Sequence, residues 1–274
     1  MASGRAEIEF VDAGGRTRLA HLYQSDPLRI LFPNTGPGEP ETGTLVTTSG
    51  GLVGGDALSI EVRCGAGAVG RIVGQAAEKI YRSAGDDVRI EMSLVAEPES
   101  WLEWLPQETI IFDSARLRRR TVLEVAPGAR LLAGEIIVLG RTAMGESVTG
   151  GLVHEAWDVR RDDRLVWADA VHLDDDLPAT LAANAGLHGA HAFASIVFVG
   201  DGAASALPFA RELLPEGANP AGLCVGATCV GDVLVVRWLD RDARRLRDAY
   251  GTFWAEFRHR VADFPAAMPR LWAI

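Results

Sequence analysis

The sequence predicts a mainly β protein of layered, solenoid-like strands with about two helices, the longer near the C-terminus. Three observations predict it. A strand-like piece, a turn and a second strand-like piece recur along the chain. Short apolar runs are separated throughout by Gly, Pro and Asp. The long helical periodicity comes only late. The expected organisation is one domain over residues 1–274, β-rich over 1–200 and mixed over 201–274.

Each element has its own signal. Residues 8–11, 19–23, 28–32 and 45–48 are short apolar runs, and the Pro- and Gly-dense stretch 33–41 reads as a loop. The repeat starts at Leu58, with residues 58–62, the turn Gly65-Ala66-Gly67-Ala68 and residues 69–73. Its second copy is 90–95, Glu97-Pro98-Glu99-Ser100 and 101–105. The third is 121–125, Ala126-Pro127-Gly128-Ala129 and 130–139, and the fourth is 155–159, Arg161-Asp162-Asp163-Arg164 and 165–173. Turns spaced by roughly thirty residues give units that bury an apolar face only by stacking on their neighbours. Residues 203–214 read as a short helix ended by Pro215 and Gly217. The longer helix starts near Asp240 or Asp242 and runs to Val261. Leu246, Tyr250, Phe253, Trp254, Phe257 and Val261 share one face. That face either packs on the core or docks a partner.

Composition bounds the function. A net charge of −10 argues against a general nucleic-acid binder, which must neutralise phosphates. Three cysteines do not make a disulfide framework and predict a reducing, cytoplasmic setting. Charged residues interrupt the first twenty positions, and no run approaches the roughly 20 apolar residues of a membrane-spanning helix. Lys79 is the only lysine; a specific placement and a coding bias toward arginine both account for it.

Several motifs carry less than their pattern promises. Gly65, Gly67 and Gly70 spell G-x-G-x-x-G, but Arg71-Ile72-Val73 continues as a strand where a dinucleotide site needs a helix. Cys224 and Cys229 have neither zinc-knuckle spacing nor a shared strand face and read as buried, inert thiols. His188 and His191 lie in a Gly-containing loop without a third ligand nearby, and Asp174-Asp175-Asp176 reads as a solvated acidic loop. Glu103, Glu135 and Glu146 are more telling, because a carboxylate among apolar residues must pair, accept hydrogen bonds or shift its pKa when buried. Lys79, Arg82 and Arg141 are the candidate pairing charges. Structural ion pairs and an internal path for a cation are the two readings.

Six segments stand out in order along the chain: Ser49-Gly50-Gly51-Leu52-Val53-Gly54-Gly55-Asp56, Lys79-Ile80-Tyr81-Arg82-Ser83 and Leu102-Glu103-Trp104-Leu105-Pro106-Gln107-Glu108-Thr109-Ile110, then Gly134-Glu135-Ile136, Leu139-Gly140-Arg141-Thr142-Ala143-Met144-Gly145-Glu146 and Pro269-Arg270-Leu271-Trp272. Taken together, and in this order, they resemble the urease accessory protein UreD (UreH) family. The chain departs from the family pattern at Val73-Gly74 and Glu78, where hydroxyl residues are usual. The resemblance implies a β-rich, non-enzymatic maturation factor that joins UreF and the GTPase UreG on urease apoprotein, dimerisation within that complex being possible. It implies help in delivering Ni²⁺, with no tightly bound cofactor. Asp56, Glu103, Glu135 and Glu146 are then candidates for the metal path, because carboxylates with waters hold Ni²⁺ weakly enough to release it. Tyr250, Trp254, Arg258, Arg270 and Trp272 are candidates for docking UreF. The alternative is a β-solenoid carbohydrate-active enzyme using a carboxylate pair drawn from Glu103, Glu108 and Asp113.

Overall fold

The recurring unit folds as a coil whose rungs alternate between two sheets. The computed structural model describes residues 1–141, 144–174, 177–215 and 222–273. Strands β1 (Ser3–Asp12) and β2 (Thr17–Gln24) form a hairpin, and β3 (Leu28–Leu31) pairs antiparallel with β4 (Glu41–Thr47). The rungs follow: β5 (Ala57–Cys64), β6 (Val69–Gly74) and β7 (Glu78–Ile80), then β8 (Val88–Ala96), β9 (Trp101–Leu105) and β10 (Thr109–Ile111), then β11 (Arg116–Val125) and β12 (Arg130–Leu139). After them come β13 (Leu152–Arg161), β14 (Arg164–Asp174), α1 (Leu177–Ala182), β15 (Ala192–Val199) and α2 (Ala203–Glu212). The chain ends with β16 (Cys224–Val230), β17 (Val233–Asp240), α3 (Ala243–Ala262) and a 3₁₀ turn, Arg270–Ala273.

The first sheet has the order β14-β13-β11-β8-β5-β1-β2 and the second β16-β17-β15-β12-β9-β6-β4-β3, with β10 and β7 beside β12. Rungs stack parallel and in register, so that Ile60, Met92, Thr121 and Trp157 form one column. Three of the four turns are the same device. Ala68, Ser100 and Ala129 each donate their N–H to the carbonyl three residues back. The third residues, Gly67, Glu99 and Gly128, have φ of +70°, +58° and +74°, as a type II turn requires. Pro98 and Pro127 supply the fixed φ that favours the second position.

The fourth unit is also strand, turn and strand, but it differs from the other three in where the second strand goes. β13 and β14 are not a passage between sheets but an antiparallel hairpin within the first sheet. Both central residues of its turn, Asp162 and Asp163, have positive φ (+50° and +60°). That backbone matches strand twist in a tight hairpin and folds the chain straight back.

Alternation decides what is buried. Leu102 and Trp104 of β9 face the inter-sheet core, whereas Trp101 and Leu105 face a second core under α2 and α3. Helix α3 is capped by Asp242, whose Oδ1 accepts the N–H groups of Arg244 (2.9 Å) and Arg245 (3.1 Å). Its predicted stripe packs on the second sheet, with Leu246, Tyr250, Phe253, Trp254 and Phe257 all buried.

α1 is a third helix beside the two expected. Of the acidic loop expected at Asp174-Asp175-Asp176, Asp174 ends β14, and residues 175–176 lie outside the described residues. Cys224 and Cys229 are not buried: β16 is an edge strand, which leaves Cys224 exposed and Cys229 half-buried on opposite faces. The predicted helix at 203–214 stops at Glu212, and its expected terminator Gly217 lies outside the described residues, as do Thr142 and Ala143. Among the described residues no helix is long and apolar enough to cross a membrane.

Candidate functional site

Between the sheets lies a cavity of about 230 Å³, walled by Ile60 and Met92 from one sheet and Trp104 from the other, with Glu78, Thr109 and Arg119 supplying its polar surface. Strand parity puts Arg119 there. It alternates with Leu117 and Thr121 of β11, all facing inward, while Arg118 and Arg120 face out. Arg119 Nε donates to Glu155 Oε2 and Nη2 to Glu135 Oε2, both at 2.6 Å, and Nη1 donates to Thr109 Oγ1 at 3.0 Å. Trp157 Nε1 donates to Glu135 Oε1 at 3.1 Å. Two buried carboxylates thus share one guanidinium. Burial, opposed by Arg119 and reinforced by the neighbouring Glu135, holds the Glu155 carboxyl well above the ordinary carboxylate range. Oε1 of Glu155 has no donor facing it, and a proton on this carboxyl makes it a donor to Glu135. Such a group is one positive charge short. A proton or a cation completes it.

Glu78 stands at the wall of the same cavity. Its carboxylate accepts from Thr47 Oγ1 (2.5 Å) and from the Lys79 N–H (3.2 Å), and burial raises its pKa against both bonds. Glu78 therefore adds a carboxylate to the cavity wall.

A second cluster lies on the opposite face of the second sheet, beneath α3. Glu103, fully buried, accepts from Arg258 Nε and Trp101 Nε1, both at 2.9 Å, with Arg71 Nη1 at 3.7 Å. Glu39 accepts from Arg71 Nη1 (2.6 Å) and Arg258 Nη2 (2.9 Å). Arg258 Nη1 also donates to Pro265 O at 2.8 Å. Two carboxylates meet two guanidiniums, and the charges balance.

The predicted metal-path residues thus fall in separate places. Glu135 joins the cavity through Arg119, whereas Glu103 lies across the sheet. Asp56 closes a loop, accepting from Ala2 N (2.6 Å) and Val53 N (2.9 Å). Glu146 is held by Arg141, with Nε to Oε2 at 3.0 Å, and Arg141 stacks on Phe112 at 4.3 Å. Arg141 is therefore an ion-pair residue, but Lys79 is exposed at the cavity rim, and neither it nor Arg82 forms an ion pair among the described residues. Arg82 makes a backbone bridge to Ala115. Of the enzyme alternative's residues, Glu108 is bound by Arg247 (2.6 Å) and Asp113 accepts from Thr149 N (2.6 Å).

Four of the five docking candidates lie inside the protein. Tyr250, Trp254 and Arg258 are each 0 % exposed and face this protein's own second sheet. A hydroxyl-sized gap explains one of them: a Cβ on Gly134 would meet the Tyr250 hydroxyl at 2.0 Å, so glycine there lets the helix seat. Trp272 is likewise buried, stacked on Tyr250 (5.6 Å between rings) with Arg247 over its face at 4.3 Å. Arg270 alone of the five is exposed.

Sequence reasoning missed Arg119, Glu155 and Glu78, although parity held a signal for two of them. Glu155 alternates with Val153, Trp157 and Val159, and Arg119 with Leu117 and Leu123, all inward.

The pattern of the UreD urease accessory protein family matches residues 2–273. The chain belongs to this family. It is 46 % identical over 272 residues to the urease accessory protein UreD of Magnetococcus marinus, covering 99 % of this chain and 94 % of the relative. It is 41 % identical to the urease accessory protein UreD 2 of Methylorubrum populi (96 % and 86 % covered) and 39 % identical to that of Xanthobacter autotrophicus (99 % and 90 %). The resemblance read from the sequence is thereby established over nearly the whole chain.

Proposed function

We propose that this protein is a cytoplasmic, non-catalytic urease maturation factor that assembles with UreF and UreG on urease apoprotein and helps pass Ni²⁺ to the active site. Family membership from residue 2 to 273 carries the reading. The inter-sheet cluster supports the metal role. Glu135 and Glu155 share a single arginine next to a cavity that Glu78 also lines, and hard oxygen donors short of one positive charge receive a cation and let it go. Of the four carboxylates named from the sequence, Glu135 has this position, while Glu103 belongs to the neutral cluster under α3. Asp56 and Glu146 stand as outlying candidates on the loops that join rungs.

The experiment is co-expression of tagged protein with UreF, UreG and urease apoprotein, followed by activation with nickel, bicarbonate and GTP. Dependence of activation on this chain is expected; a folded protein that binds none of the three overturns the reading. The exposed Arg270 is the docking residue that remains. Arg270→Glu is expected to reduce co-purification with UreF while leaving the melting temperature unchanged, and undiminished capture removes the C-terminal turn from the interface.

A further inference from the structure

On the outer face of the first sheet, His154 of β13 and His172 of β14 are directly opposite partners in the antiparallel ladder. Their Nδ1 atoms are 3.2 Å apart, and the rings meet edge to face with centroids 5.2 Å apart. The geometry points to a bis-imidazole site for a divalent transition-metal ion of borderline softness, such as Cu²⁺ or Zn²⁺, on this hairpin.

The spacing carries the assignment. Two ligand nitrogens about 2.1 Å from one ion and 3.2 Å from each other subtend an angle of about 100°, between the octahedral and tetrahedral values. The backbone fixes this approach, because directly opposite residues on one face hold their Cβ atoms about 5 Å apart whatever else occupies the sheet. Alternation aims both imidazoles away from the core: Val153 and Glu155 on either side of His154 are buried, whereas His172 is exposed. Of the two adjacent ladder pairs in the same parity, one is Leu152 and Asp174 and the other is Ala156 and Ala170, whose methyl groups leave room for the waters of a hydrated ion. Among the described residues no third His, Cys, Asp or Glu joins the pair, so water fills the remaining positions and the site is weak and exchangeable. The adjacent Arg118 is engaged by Asp87 at 2.5 Å, which offsets the one cation facing the pair from β11.

The site lies on the side of β13 opposite Glu155, and its occupancy is independent of the inter-sheet cluster. A metal here bridges β14, an edge strand, to its neighbour, and an ion that binds the folded state raises the melting temperature.

The test is titration of the purified full chain with Cu²⁺, read by electron paramagnetic resonance and by thermal unfolding, beside His172→Gln and the His154→Asn/His172→Gln double variant. Expected are hyperfine couplings from two nitrogens and a rise in melting temperature with copper. Both should be lost in the double variant, with at least several-fold weaker binding in His172→Gln. The exposed position of His172 protects the single variant's fold, which the metal-free melting temperature confirms. A copper spectrum and melting shift unchanged in the double variant overturn the assignment.

Discussion

The two buried charge clusters lie on opposite faces of one sheet, yet their chemistry differs. Beneath α3, Glu39 and Glu103 meet Arg71 and Arg258 and every charge has a counter-charge. Between the sheets, Glu135 and Glu155 share Arg119 alone. The first cluster is balanced in charge, although Glu103 Oε2 accepts no hydrogen bond, and it ties the C-terminal helix to the coil. The second is incomplete and borders a cavity. A buried ionic group that balances is a structural element, and one that does not is a place where a proton or an ion resides.

The sharpest separation of the two comes from removing arginine. Arg258→Met leaves Glu103, fully buried, without its closest cation, and a buried charge stripped of its partner costs about 3–5 kcal/mol. Denaturant unfolding measures it; a loss within experimental error would mean that the cluster beneath α3 is not structural. Truncation after Phe264 is expected to cost less, about 2–3 kcal/mol, because it removes the Pro265 carbonyl from Arg258 and the Trp272 stack from Tyr250 but leaves the coiled rungs intact. Far-ultraviolet circular dichroism should keep its β signal.

At acid pH, where the Glu155 carboxyl is protonated in the folded and the unfolded chain alike, Glu155→Gln is expected to change stability by no more than about 1 kcal/mol. Its pH dependence is the informative part. The folded Glu155 pKa is raised, so its contribution is fully present below the unfolded pKa and is lost as pH climbs toward the folded value. The melting temperature of the variant should therefore gain on that of the parent as pH rises above the ordinary carboxylate range. Parallel curves would make the two clusters alike after all.

Much of this was legible in the sequence, because the signals were local. Three of the four turns carry the Gly or Pro chemistry of a sheet-changing corner, and Asp242 and the apolar stripe of α3 stand where helix rules put them. The fourth turn looks like the others in composition, which does not separate a corner from a hairpin; the paired positive φ at Asp162 and Asp163 does. The sequence also named Glu103 and Glu135 as buried carboxylates. It could not place them on opposite faces, since each is flanked by apolar residues on both sides in strands buried throughout. Glu155 went unnoticed among the polar residues of β13, and its partner Arg119 was hidden inside a run of three arginines. An amphipathic face does not state whether its partner is another chain or its own sheet, and Tyr250, Trp254 and Arg258 face the sheet.

The measurement that bears most directly on the account is urease activation at limiting nickel by the Glu135→Gln/Glu155→Gln double variant, beside Glu103→Gln, with co-purification of UreF, UreG and urease apoprotein as control. The incomplete cluster predicts a several-fold loss of activation in the double variant with the complex intact, restored by excess nickel, and no comparable loss in Glu103→Gln once its stability is matched. Full activation by the double variant at limiting nickel would contradict the assignment of the inter-sheet carboxylates to the metal.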